Sequence, residues 1–169
     1  MANETVQSLR VQVIIDAVVT GNDGQSITVH EVYDQSFSDG TGNYQVGAVF
    51  SDDTRPLNTT NETIILGGAS ATVSALGVTM TDVVNCKMLY FRELGTTAGQ
   101  TLTVGGGDWA AANGPLVDST DKMVCGPGGI ILMVNPIDGY TITATTKDGM
   151  LVATSGNQNY RLIAAGDNT

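Results

Sequence analysis

From Leu9 to Val19 apolar and polar positions alternate, with Leu9, Val11, Val13, Ile15 and Ala17 on one side and Arg10, Gln12 and Asp16 on the other. A period of two puts successive side chains on opposite faces, so the pattern predicts a half-buried strand. Gly21-Asn-Asp-Gly24 is made of residues that accept left-handed φ, and a β-branched pattern resumes over Ile27–Tyr33. The two segments read as a hairpin, either an extra sheet or an arm reaching a neighbour. Tyr44, Val46, Ala48 and Phe50 alternate again and stop at Ser51–Pro56. Pro56 has no N–H for a ladder and marks an edge or a loop.

Further strands are expected at Glu62–Leu66, once or twice within Ala71–Val84, and at Cys86–Leu94. More follow around Leu102, then at Lys122–Cys125, Ile130–Val134, Tyr140–Thr146, Met150–Thr154 and Tyr160–Ala165. Gly126-Pro-Gly-Gly129 is expected to be a tight turn, because Pro127 presets φ and its glycine neighbours accept positive φ. Lys147-Asp-Gly149 reads as a second hairpin turn. No helical period is sustained, and Trp109–Asn113 is expected to make at most one helical turn inside a loop. About ten short strands at regular spacing predict a sandwich or jelly roll.

The chain has 169 residues, enough for one domain with a real core. Residues 1–35 form an N-terminal arm or hairpin, separate or part of the same domain, and residues 36–169 form the sandwich. Charged residues are only 14% while there are 21 glycines, a balance that favours strands and turns and makes the fold class all-β. Seven basic residues against seventeen acidic ones give a net charge of −10. The basic residues are scattered, which argues against nucleic acid as a partner. No apolar run reaches membrane-spanning length. Met1-Ala-Asn-Glu-Thr has neither the basic nor the apolar part of a secretory leader, so no secretory route is expected.

Candidate chemistry is sparse. His30 is the only histidine, and no Gly-x-Ser-x-Gly elbow is present to expose a nucleophile. Two loops, Asn22-Asp-Gly24 with Asp16 and Ser38–Asn43, carry oxygen donors for Ca²⁺, but neither has the spacing of an EF-hand and both have ordinary turn composition. Gly105-Gly-Gly-Asp108 lacks the Lys-Ser/Thr of a phosphate loop. Glu31 with Asp34 is a nominal carboxylate pair without an evident groove. Trp109 and Tyr44 are candidates for stacking on a sugar. Cys86 and Cys125 both sit in apolar, strand-like segments, where free thiols are common and a disulfide is not implied. No catalysis, cofactor or metal is expected.

The succession of Phe91-Arg92, Leu102-Thr-Val-Gly105, the Gly126-Pro-Gly-Gly129 turn, Ile130–Val134 and Asn135-Pro-x-x-Gly-Tyr-x-Ile-Thr143 resembles small jelly-roll virion proteins of tailed bacteriophages. Tyr44-Gln-Val-Gly47 and Asn61–Leu66 resemble their opening strands, so the likeness spans Asp39 to Gly166. It rests on turn spacing and strand order. It implies a non-enzymatic structural protein, made in the host cytoplasm and carried on the virion, of the capsid decoration or cement type. The major capsid protein would be its partner, and the chain would assemble with itself, a homotrimer matching three-fold positions of a shell. On that reading Arg10, Arg55 and Arg92 are guesses for ion-pair anchors to an acidic partner surface, and Trp109 for a partner pocket. The alternatives are a tail or fibre component recognising a host glycan through Gly105–Pro115, and a binding module of cellular origin.

Overall fold

The computed structural model describes residues 6, 8–20, 25–57, 61–65, 83–106, 116, 120–142, 150–154 and 158–168. Twelve strands in three sheets, with no helix among these residues, make the chain all-β. In order they are β1 (Leu9–Thr20), β2 (Ser26–Asp39), β3 (Gln45–Val46), β4 (Ala48–Leu57), β5 (Asn61–Ile64) and β6 (Val83–Glu93). Then come β7 (Leu102–Gly105), β8 (Lys122–Cys125), β9 (Ile130–Val134), β10 (Tyr140–Thr141), β11 (Met150–Thr154) and β12 (Gln158–Asn168).

Two of the sheets face each other. One runs β10-β6-β12-β4, with β9 also pairing β6; the other runs β5-β11-β7-β8. All these pairings are antiparallel. From β4 onward the chain switches sheets between successive strands except from β7 to β8 and from β9 to β10. The resulting orders, β9-β6-β12-β4 over β5-β11-β7-β8, make a β-sandwich in which strands distant in sequence lie side by side. Alternation explains the core. Leu89 and Phe91 of β6 and Leu162 and Ala164 of β12 point inward, meeting Ile64, Val104 and Val152 from the opposite sheet. Phe91 stacks on Tyr160 at 6.4 Å between ring centroids.

The Pro-Gly turn forms as its residues require. Gly128 has φ +72° and the Gly129 amide donates to the Gly126 carbonyl at 2.8 Å, the geometry of a type II turn. Glu93, fully buried, holds this turn from β6: its carboxylate accepts from the amides of Gly95 at 2.7 Å and Gly128 at 3.1 Å. Pro56 lies on β4, the edge strand of its sheet, as its missing donor requires. The polar run Ser51–Pro56, expected to end a strand, instead continues β4 to Leu57 because β12 pairs with it through a register shift at Tyr160–Leu162.

The third sheet holds β1, β2 and β3. Leu9, Val11, Phe37 and Val46 pack with Met88, Ala165, Leu132 and Val134 on the outer face of the larger sandwich sheet, a second, smaller core. The base of the hairpin therefore belongs to the domain, and its remainder projects beyond it. The expected helical turn at Trp109–Asn113, the expected strands within residues 71–82, and the Gly21–Gly24 and Lys147–Gly149 turns lie outside the described residues.

Candidate interaction surface

β1 and β2 pair without interruption from Leu9↔Phe37 to Thr20↔Ser26. Opposed residues share a face, so the odd-numbered face carries Val13 with Tyr33, Ile15 with Glu31, and Ala17 with Val29. The even face carries Gln12 with Asp34, Ile14 with Val32, Asp16 with His30, and Val18 with Thr28. The alternation read from the sequence is present, but the half-buried strand is not. Among the described side chains of β1 only Val11 is buried; Ile15 is 54% exposed and Val18 and Ile27 are each 68% exposed. Period two reports that a strand has two faces; it does not say what covers either of them.

The even face is stitched by polar pairs. Arg10 Nε donates to Asp34 Oδ1 at 2.7 Å, its Nη2 donates to Asp34 Oδ2, and His30 Nδ1 lies 2.5 Å from Asp16 Oδ1. Thr20 and Ser26 hydroxyls meet at 2.9 Å. The hydrogen bond from Arg10 lowers the Asp34 pKa from the ordinary aspartate value. Glu31, three positions away on the same strand, points to the other face, so Glu31 and Asp34 do not form a carboxylate pair.

The three arginines singled out from the sequence do not converge. Arg10 is occupied by Asp34 at the root of the ribbon. Arg55 lies in a partly buried network on the sandwich edge: Nη1 donates to Asp52 at 3.0 Å, Nη2 to Glu62 at 2.9 Å, and Tyr160 Oη donates to Glu62 at 2.6 Å. Burial acts against the Arg55 charge, but the hydrogen bonds and electrostatic attraction of Glu62, Tyr160 and Asp52 together outweigh it and its pKa is raised. Arg55 therefore anchors β4 to β5 and β12. Arg92 is exposed on the outer face of β6, with Ile130 on one side and Arg161 directly opposite on β12. Arg161 reaches Asp53 at 3.3 Å. Trp109 lies outside the described residues.

The Ser38–Asn43 loop, a candidate cation site by composition, is held by a protein cation. Lys87 is fully buried and its ammonium donates to the carbonyls of Gly42 at 2.5 Å and Gln45 at 3.0 Å while lying 2.7 Å from Asp167 Oδ1. The other loop, Asn22–Gly24, lies outside the described residues. Among the described residues no cluster of three His, Cys, Asp or Glu forms a metal site. Cys86 and Cys125 are both free; burial pushes the Cys86 thiol up to about 12 and raises that of Cys125. A shallow, open groove of about 250 Å³ is lined by Leu94, Gly95, Thr96, Thr97, Gln100, Gln158 and Asn159.

Sequence reasoning missed Arg161 and the apolar residues of the even face. A signal existed for the latter: Ile14 and Val18 interrupt an otherwise strict alternation. Compared with known proteins, the chain matches no family model, no curated protein and no solved structure.

Proposed function

We propose that the chain is a structural virion protein of a tailed phage, a decoration or cement protein that binds the major capsid protein on the head surface as a homo-oligomer. One observation carries this reading: a sandwich core bears a long ribbon whose apolar side chains are exposed, an arrangement suited to contact between proteins. The resemblance to jelly-roll virion proteins supplies the shell as its setting. The function is mechanical, with many weak contacts bridging adjacent capsomers and stabilising them through mass action. Arg92 is the better candidate for an acidic partner surface, since Arg10 and Arg55, like its neighbour Arg161, already have carboxylate partners.

The test is gold-labelled antibody against the chain, applied to intact phage particles and viewed by electron microscopy. Label spread over the head supports decoration; label restricted to the tail, or none on any particle, overturns it. The polar groove at Gln100 and Gln158 favours the second reading, a tail component that recognises a host glycan. Binding on a glycan array, lost in a Gln100→Ala variant, distinguishes it.

A further inference from the structure

We infer that the groove between the β6–β7 connection and the start of β12 seats one uncharged sugar ring, held chiefly by Gln158 and Gln100. It rests on the second reading's use of this groove, and it holds wherever on a particle the chain sits.

Gln158 breaks the pattern of its strand. Gln158, Tyr160 and Leu162 share the inward face of β12, and all three are buried. Tyr160 and Leu162 belong to the core, whereas Gln158 places a carboxamide at its end. It is 6% exposed, and among the described residues neither its Oε1 nor its Nε2 has a hydrogen-bond partner. A buried amide left unpaired costs stability, and a leucine there would not, so the residue is better suited to a ligand than to the fold.

The walls are fixed before a ligand arrives. The connection leaves β6 at Leu94, whose amide donates to the Asn159 carbonyl at 3.1 Å. Gly95 then donates to the Glu93 carboxylate at 2.7 Å. Gln100 closes the turn from both sides: its backbone amide donates to the Thr97 carbonyl at 3.2 Å, and its Oε1 accepts from the Thr97 amide at 3.0 Å. A Cβ at Gly95 would collide with that Oε1, so the closure needs glycine. With its oxygen committed, Gln100 offers its NH₂ group. A preformed site spares the ligand the cost of ordering it.

Chemistry selects the occupant. Every described lining residue is uncharged, and Leu94 is the only large apolar side chain among them. Amides and threonine hydroxyls both donate and accept, as do the hydroxyls of a sugar. A peptide would need a free ladder edge or apolar pockets for its side chains, and the Leu94 amide is already taken by Asn159. An anionic sugar would bring its carboxylate near Glu93, which holds Gly95, and into a chain of net charge −10. At about 250 Å³ the groove falls below the usual range of about 300–1,000 Å³, so it takes a single ring and leaves the rest of a glycan outside.

Amide shifts of the isotope-labelled full chain, titrated with the methyl glycosides of glucose, galactose, mannose and N-acetylglucosamine and with glucuronate, test this. At least one neutral glycoside is expected to move the amides of Gly95, Thr97 and Gln100 saturably, and glucuronate to move none. Gln158→Leu is expected to keep the fold by circular dichroism, to hold or raise the thermal midpoint, and to weaken binding about tenfold. No shift with any neutral glycoside, shifts confined to another surface, equal binding of glucuronate, or a folded Gln158→Leu that binds as the wild type does overturns the inference. A glycan array that stays positive in those cases leaves the second reading standing on another surface. Labelling of the head with sugar still bound in the groove removes the tail and leaves the inference.

Discussion

Lys87 and Glu93 are charged residues on one central strand, each sealed from water; two backbone carbonyls and Asp167 hold Lys87, and two backbone amides hold Glu93. A buried charge is tolerated only when its hydrogen bonds are complete, so removing either side chain leaves orphaned groups. Lys87→Met removes the ion pair to Asp167 and the ammonium's bonds to the Gly42 and Gln45 carbonyls, and is expected to cost about 3–5 kcal/mol, read from the urea midpoint. Glu93→Gln keeps an acceptor for one of its two amides, so it should cost less than Glu93→Ala. The thiol of Cys86 gives a pH signature. Its folded pKa, about 12, lies above the ordinary value of 9.0, so the neutral form is favoured by folding. That contribution is intact below pH 9 and is lost as pH rises toward 12. Tyr160 and Tyr140 are shifted the same way by burial, so Cys86→Ala should flatten the alkaline loss of stability without abolishing it.

Glycines separate two kinds of constraint at the level of the element. At Gly128 a Cβ meets nothing within 4 Å, and only its φ of +72° opposes a side chain. Gly128→Ala should therefore cost about 1 kcal/mol. At Gly166 a Cβ would run into the Asn85 carbonyl oxygen, where β12 bulges against β6. Gly166→Ala must push two central strands apart and should lower the thermal midpoint far more than Gly128→Ala. The turn at Gly128 was legible from four residues because its chemistry is local. So were the hairpin faces, since period two is a property of the strand alone. The order β9-β6-β12-β4 was not legible, because pairing is decided between segments far apart in sequence. Nor was the burial of Lys87, whose partners come from a loop that composition alone presents as a cation site. The ribbon's exposure escaped for the same reason: alternation does not state what lies opposite.

For the whole molecule, charge and apolar surface pull in opposite directions. Seventeen carboxylates against seven cations repel approaching copies of the proposed homo-oligomer, while exposed apolar side chains favour contact. Screening removes the first and leaves the second. Raising sodium chloride from about 20 to 500 mM is therefore expected to strengthen self-association, whereas an assembly held by ion pairs would weaken. Sedimentation across that range decides the sign. Arg92, beside Arg161, belongs to the other regime: an acidic partner seated there would be released by the same salt.

The placement of β12 between β6 and β4 governs how the molecule can be made. Ribosomes deliver the chain from its N-terminus, yet the middle of the larger sheet is the last of these strands to emerge. Until Asn168 clears the exit tunnel, β4 and β6 have no partner on their facing edges, and the core residues Tyr160 and Leu162 are missing. Folding of the sandwich must then wait for β12 and close over long sequence distances, which is slow. The β1–β2 hairpin emerges first, but the surface its root packs on includes Ala165 of β12, so its seat too is completed only by the last strand.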